Sequence, residues 1–360
     1  MENVFERLAP FIQEYIYRNG WTEIRPIQVA ACDLILNTEN NVLLASGTAS
    51  GKTEAAFLPI LTDIYENPSH SVAVLYISPL KALINDQFIR IEEMLEETDI
   101  PVTKWHGDVV QNAKSKLLKN PKGILQTTPE SLEAMLMRNP GNILKLFSDL
   151  RYIVIDEVHY FMNDDRGLQT LCIIERIQRI IEKEPRRIGL SATLGDYELA
   201  TQWLSSGTNR KTVIPTVPEE KRKIRLGIKY YEIEEKEDET SILDYYRDLY
   251  EKTLNRKCII FSNSKSEVEG NIAHLKKIAK NRNTKDIYYV HHANISNSLR
   301  RQAEEQMKSE EENAITGATV TLELGIDLGK LDRIVQTGSP FTVSSFVQRL
   351  RKKWKKRTTC

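Results

Sequence analysis

The chain has 360 residues, 41% hydrophobic and 28% charged, and its 50 basic and 50 acidic side chains balance to a formal net charge of zero. That composition excludes a mainly disordered chain, the length suits about two domains, and no apolar run approaches the roughly 18 residues that cross a membrane, so no membrane partner is expected. The first residues lack the basic and apolar segments of a secretory signal, and four scattered cysteines form no CxxC pair, so a cytoplasmic protein with reduced thiols and no structural zinc is expected.

Short apolar runs alternate with amphipathic helical stretches, the sequence sign of βαβ units and a mainly parallel sheet. Strands are expected at Asn41–Ala45, Val72–Ile77, Gly123–Thr127, Tyr152–Asp156 and Arg187–Ser191, with helices such as Leu80–Glu97 and Leu168–Glu182 between them. The theme restarts at Lys257–Phe261, Asp286–Val290, Ala314–Thr316 and Arg333–Gln336. An α/β protein with a first domain at 1–208, a linker at 209–225 and a second domain at 226–360 is therefore expected. Pro215, Pro218 and a crowd of charges mark the linker. The acidic run Glu232–Glu239 reads as a solvated surface segment. Residues 1–208 carry 20 Lys and Arg against 28 Asp and Glu, whereas 209–360 carry 30 against 22. The segment Arg349–Arg357 alone supplies seven of those basic residues.

The strongest chemical signal is Ala45-Ser-Gly-Thr-Ala-Ser-Gly-Lys-Thr53, placed between an apolar strand and a helical stretch. Small residues let a loop curl until its N–H groups face the phosphates of a nucleotide, and the helix N-terminus adds partial positive charge. Ser46, Gly47, Thr48, Ala49, Ser50 and Gly51 would form that cradle. Lys52 would reach the β- and γ-phosphates, and the Thr53 hydroxyl would ligate Mg²⁺. Serine at 46 stands where the GxxxxGK[ST] pattern has glycine. About 100 residues on, the strand Tyr152–Ile155 runs into Asp156 and Glu157. An acid at the end of a neighbouring strand holds Mg²⁺ in a P-loop enzyme, and a second acid orients the attacking water. Asp156 suits the first role and Glu157 the second.

With these blocks in place the chain resembles the superfamily two helicases, and within them the Lhr-like (large helicase-related) DExH group. Gly20-Trp21 and Ile27-Gln28 are similar to an adenine-reading Q motif, with Phe11 as the upstream aromatic. Ala45–Thr53 matches motif I, Ser78–Leu83 motif Ia, and His106-Gly-Asp108 and Thr128–Leu132 the strand-contacting blocks that follow. Asp156-Glu-Val-His159 resembles motif II, Ser191-Ala-Thr193 motif III and Ile260–Asn263 motif IV. His291-His292 with Arg300 matches a block of the second domain, where paired histidines without a nearby third ligand read as structure. Ala318–Asp327 resembles motif V, and Phe346–Arg349 opens motif VI. One block could be accidental; an ordered series is not.

The resemblance implies two tandem RecA-like domains, with ATP and Mg²⁺ in the cleft between them and a nucleic acid strand, DNA more than RNA, across their tops. It assigns nucleotide contacts to Gln28, Gly325, Asp327 and Arg349 beside the P-loop, and catalysis to Lys52, Asp156 and Glu157. Ser78, Lys81, Thr128, Ser262, Asn263 and Thr319 fall at strand-contacting positions; their small polar groups suit phosphate and sugar contacts that carry no sequence information. His159, Ser191 and Thr193 fall where the family links nucleotide to domain movement. The implied activity is that of an ATP-dependent helicase, and an unrelated P-loop kinase is disfavoured by the blocks after motif II.

Motif VI departs from the family. Its pattern Gln-Arg-x-Gly-Arg-x-Gly-Arg ends in two arginine fingers, but here Gln348-Arg-Leu-Arg-Lys-Lys-Trp-Lys355 puts Lys352 and Lys355 at those places and Arg351 and Trp354 at the glycines. Lysine lacks the planar bidentate fork. An ATP-dependent clamp with little turnover is the alternative. One synonymous coding of Arg351–Cys360 (AGG AAG AAG TGG AAG AAG AGG ACA ACC TGC), read from its second base, encodes Gly-Arg-Ser-Gly-Arg-Arg-Gly-Gln-Pro. That register restores both fingers, so the expectation is a frameshifted product truncated within motif VI.

Overall fold

The computed structural model describes residues 3–46, 51–162, 164–191, 194–217, 225–232, 239–292, 294–309, 312–319, 322 and 331–351. They divide into two compact units, Met1–Pro218 and Glu219–Cys360. Each is a parallel α/β sheet, the RecA-like pattern. Among the described residues no helix is long and apolar enough to cross a membrane.

The strands of the first unit are β1 (Asn41–Ala45), β2 (Val72–Ile77), β3 (Val102–Trp105), β4 (Gly123–Thr127), β5 (Tyr152–Ile155), β6 (Arg186–Ser191) and β7 (Thr212–Val213). They pair in the order β3-β4-β2-β5-β6-β1-β7, all parallel. Central strands buried on both faces need near-continuous apolar runs, which is why β2 and β5 read VAVLYI and YIVI. Val42, Leu44, Val74, Tyr76, Ile124, Val154 and Ile188 face one core, formed with helices α1 (Pro10–Arg18), α2 (Pro26–Asn37), α3 (Lys52–Glu66) and α4 (Lys81–Met94). Leu43, Leu75, Ile77, Leu125, Ile153 and Ile155 face the other, with α5 (Gln111–Lys119), α6 (Pro129–Arg138), α7 (Ile143–Phe147), α8 (Asp165–Ile181) and α9 (Tyr197–Ser205).

The second unit repeats the plan. Helices α10 (Glu239–Thr253), α11 (Lys265–Asn281), α12 (Asn297–Lys308) and α13 (Val343–Arg351) accompany β8 (Cys258–Phe261), β9 (Tyr288–His291), β10 (Ile315–Ala318) and β11 (Arg333–Gln336). The sheet order is β11-β8-β10-β9, again parallel. Cys258, Ile260 and Ile315 pack on α10 and α11, while Ile259, Phe261 and Ala318 pack on Met307 of α12.

Two elements differ from the sequence expectation. β3 reads Val-Thr-Lys-Trp and is only partly buried, as an edge strand can be. Thr212–Val213, expected in a linker, pair with β1 and extend the first sheet. The Asn41 N–H donates to the Lys211 carbonyl (2.9 Å), and the Arg210 guanidinium donates to the Glu39 carbonyl (2.7 Å) and carboxylate (2.8 Å). These contacts hold 209–213 against the first unit despite their polar composition. Most of the acidic run, 233–238, lies outside the described residues.

Candidate functional site

In a parallel sheet all C-terminal strand ends open on one edge, where ligands of α/β folds sit. The ladder continues past the strands there: the Ser46 N–H donates to the Ser191 carbonyl (3.2 Å), Ser78 N–H to Thr127 (3.0 Å) and Asp156 N–H to Ile77 (2.9 Å). The strand order therefore lays the blocks out in a row. His106–Asp108, Thr128 and Ser78 follow β3, β4 and β2; Asp156, Ser191 and Ser46 follow β5, β6 and β1. The blocks expected to contact a strand occupy one half of the edge and those expected to hold nucleotide the other, with motif II at the boundary.

At the phosphate end, Gly47, Thr48, Ala49 and Ser50 lie outside the described residues. Gly51 caps α3 in the left-handed region (φ 79°), which favours glycine. A Cβ there would sit 2.6 Å from Gln28 Nε2, so the end of the Gln28 side chain reaches the Gly51 backbone. Gln28 is buried at the first turn of α2, its Oε1 accepting the Arg25 N–H at 2.9 Å, which leaves the amide NH₂ end facing Gly51. The Q-motif block and the P-loop are thus neighbours, as the resemblance implies. Lys52 Nζ donates to the Ser46 carbonyl at 2.8 Å, and Thr53 is buried in the first turn of α3.

The acids sit deep. Asp156 is 7% and Glu157 6% exposed. Asp156 Oδ2 accepts the Tyr76 hydroxyl at 2.5 Å and Oδ1 accepts the Glu157 N–H at 2.9 Å. Burial and the adjacent Glu157 push the Asp156 carboxyl up to about 7, against the pull of Tyr76 and Lys52. Burial beside those acids likewise pushes the Tyr76 hydroxyl well above its ordinary value. Glu157 adopts φ 51°, ψ 51°, a conformation non-glycine residues rarely hold. His159 Nδ1 lies 2.9 Å from Ser191 Oγ and 3.4 Å from Glu157 Oε2, so motifs II and III meet through the imidazole. Thr193 lies outside the described residues.

A hard cation held by one or two carboxylates plus substrate phosphates needs no all-protein cage. Among the described residues no group of three or more His, Cys, Asp or Glu converges on a metal position. The Asp156 carboxylate and the Thr53 hydroxyl are oxygen donors of the kind Mg²⁺ takes, and Lys52 at a helix N-terminus suits a polyphosphate. The donors present therefore suit Mg-ATP.

On the other half of the edge, exposed Lys81 pairs with Asp108 (Nζ–Oδ1 3.0 Å), while Thr128 caps α6 by accepting the Ser131 N–H at 3.4 Å. Ser78 is wholly buried. Burial holds the His106 imidazole below its ordinary value. Arg166, which no motif signalled, donates to both Glu130 carboxylate oxygens (2.5 and 3.0 Å) and to the Pro79 carbonyl (2.7 Å). In the second unit Ser262 Oγ meets Thr337 Oγ1 at 2.7 Å and accepts from Asn271, so its hydroxyl is engaged inside the fold. Half-buried Asn263 donates to the Ser339 carbonyl, and Thr319 is buried after β10. Arg349 is buried, donating to Gln336 Oε1 at 2.5 Å with its guanidinium 5.0 Å from the Phe261 ring centroid. His291 and His292 pair with Glu304 (2.8 Å) and Glu269 (2.9 Å), structural partners both. Gly325, Asp327, Lys352 and Lys355 lie outside the described residues.

The aromatic upstream of the Q-motif block is a core residue. Phe11 is 7% exposed, belongs to the first core and has its ring 4.9 Å from that of the more exposed Tyr65, so it offers no free face to a base. Its place on the inner side of α1 next to Ile12 and Tyr15 explains this.

Residues 25–200 match the family DEAD/DEAH box helicase, and 241–354 match the Helicase conserved C-terminal domain. The chain belongs to the DEAD/DEAH-box helicases. Within this family it is 33% identical to the ATP-dependent helicase Lhr-Core of Saccharolobus solfataricus, over 97% of this chain and 41% of that protein. The Lhr-Core of Methanothermobacter thermautotrophicus is 32% identical over 95% of the chain and 42% of its own length. A structure of Mycobacterium smegmatis helicase Lhr bound to ssDNA and AMP-PNP superposes with TM-score 0.82 at 27% identity, covering 97% of this chain and 46% of that one. The chain thus spans about two fifths of the length of these Lhr-Core relatives.

Proposed function

We propose that the chain is the motor portion of an Lhr-type helicase, coupling Mg-ATP binding and hydrolysis to movement along or unwinding of nucleic acid, DNA in preference to RNA. The observation that carries this reading is the row of loops on the first sheet's C-terminal edge, where nucleotide blocks and strand-contacting blocks adjoin at motif II. ATP and Mg²⁺ supply the phosphoryl group and the divalent charge. Lys52 neutralises the β- and γ-phosphates, Thr53 and Asp156 hold the cation, and Glu157 orients the attacking water. Ser46 to Gly51 cradle the phosphates, and Gln28 presents its amide to the base. Gly325, Asp327 and Arg349 serve the nucleotide from the second unit. Lys81, Thr128, Asn263 and Thr319 meet the strand's backbone; Ser78 and Ser262, expected to do the same, are wholly buried side chains. His159, Ser191 and Thr193 relay between the two functions. The relative bound to ssDNA and AMP-PNP supports DNA as the partner.

The test is ATP turnover with no nucleic acid, single-stranded DNA, and RNA of equal length and sequence. Stimulation, larger with DNA, is the expected result; turnover indifferent to both would refute the reading. The clamp alternative rests on Lys352 and Lys355 at the finger positions. Nucleotide-dependent strand binding without turnover would favour it.

A further inference from the structure

Arg166 stands nine residues after Glu157, at the start of α8. Its guanidinium spans two segments that are distant in sequence. Nε and one terminal nitrogen grip Glu130 through both carboxylate oxygens, and the same terminal nitrogen donates to the Pro79 carbonyl. Pro79 lies between Ser78 and Lys81, and Glu130 lies in the first turn of α6, directly after Thr128. The two segments flanking β2 and β4 on the strand-contacting half of the edge are therefore tied to one side chain.

The other end of that tie reaches motif II. The Arg166 guanidinium lies 5.8 and 5.7 Å from the ring centroids of Tyr160 and Phe161, in the turn leaving Glu157 and His159. Gly167 lets α8 close onto the same turn: a Cβ there would fall 1.7 Å from the Phe161 carbonyl oxygen. Backbone contact at Gly167 and a bidentate ion pair at Arg166 place the start of α8 between the turn after Glu157 and the segments that follow β2 and β4. A half-exposed carboxylate adds little stability through one ion pair, so the geometry does not look like a stability device. Lysine could not hold Glu130 and Pro79 together, because it has no planar fork.

We propose that Arg166 is a positioning residue that transmits the state of the nucleotide site to the strand-contacting segments around Ser78–Lys81 and Thr128–Ser131. The inference rests on the functional reading above. Such transmission is a coupling free energy between two ligands, measurable as the ratio of strand affinities with and without nucleotide.

Strand binding is followed by the anisotropy of a labelled single-stranded DNA oligonucleotide, with and without Mg-AMP-PNP, for wild type, R166A, R166K and E130Q. Nucleotide binding alone is followed with a fluorescent ATP analogue. The wild-type chain should show a ratio of about 5- to 150-fold, the usual span of such coupling. R166A and R166K should bring it close to one while nucleotide affinity without DNA stays within about twofold, since Arg166 touches neither phosphate nor cation ligand. E130Q, which keeps shape and removes the acceptor charge, should lower the ratio from the opposite side and carries the test if R166A does not fold. A wild-type ratio retained in E130Q or either Arg166 variant overturns the inference. So does a loss of nucleotide affinity equal to the loss of coupling, because that marks general damage. A wild-type ratio of one would instead overturn the functional reading itself.

Discussion

Replacing Tyr76 with Phe removes one hydroxyl and leaves the ring in its place. The lost group donates to Asp156 Oδ2 at 2.5 Å in a fully buried setting, and it is one of the interactions pulling the Asp156 carboxyl down toward the charged form. A hydrogen bond to a charged group is worth about 1.5–3 kcal/mol, and each pH unit corresponds to about 1.4 kcal/mol, so Asp156 should titrate roughly one to two pH units higher in Y76F. Burial and Glu157 already push the native carboxyl up to about 7. A further rise in Y76F lowers the ionised share near neutral pH, and since a carboxylate must be deprotonated to bind metal, the Mg²⁺ requirement should rise by roughly one order of magnitude. The sign follows from competition between proton and cation: raising the pH should return Y76F toward wild type, and lowering it should weaken both. The assay is binding of a fluorescent ATP analogue during Mg²⁺ titration at several pH values. Coincident Mg²⁺ curves for Y76F and wild type across pH 6 to 8 would refute the assignment of Tyr76 and Asp156 together.

On the role proposed for Lys52, Lys52→Ala should lower Mg-ATP affinity about 30- to 100-fold by calorimetry; equal affinity would refute the phosphate cradle. Lys81→Ala should make the log–log dependence of single-strand affinity on salt shallower by about 0.7, one phosphate's worth of counterion release, with no change in sequence preference. An unchanged slope would remove Lys81 from the strand interface. Gly167→Ala forces a methyl into the Phe161 carbonyl, and overpacking of about 1–3 kcal/mol should lower the first unit's melting temperature by roughly 2–12 °C. An unshifted melting curve would show that α8 is free to move away from that turn.

What the sequence made legible follows from where the forces act. β1, β2 and β4 match the expected limits residue for residue, because buried parallel strands leave apolar runs, and the partly buried edge strand β11 matches them on its short Ile-Val centre. β3 and β7 escaped notice since edge positions tolerate Thr and Lys, and pairing there is decided by the neighbouring strand rather than by local composition. The acid pair after β5 was legible because paired carboxylates at a strand end stand out in an apolar run; residues 47–50 of the small-residue loop lie outside the described residues. Tyr76 and Arg166 were not legible. Tyr76 sits mid-run and reads as core, while Arg166 on an amphipathic helix reads as solvated. Their partners lie 80 and 36 residues away, and only the strand order brings them together. Phe11 reads as a core aromatic and is one, held on the inner face of α1.

The left-handed backbone at Glu157 has a consequence for how the chain would be made to hold its nucleotide without consuming it. A conformation of this kind costs a non-glycine residue on the order of 1–3 kcal/mol and persists only because the surroundings enforce it. Truncating the side chain to glycine would relax that tension and let the loop after β5 drift, mixing a conformational change with the chemical one. Glutamine keeps the length, the Cβ and the enforced backbone and deletes only the charge. E157Q is therefore the substitution that would yield a stalled complex whose loop remains drawn, a loaded spring with its trigger removed.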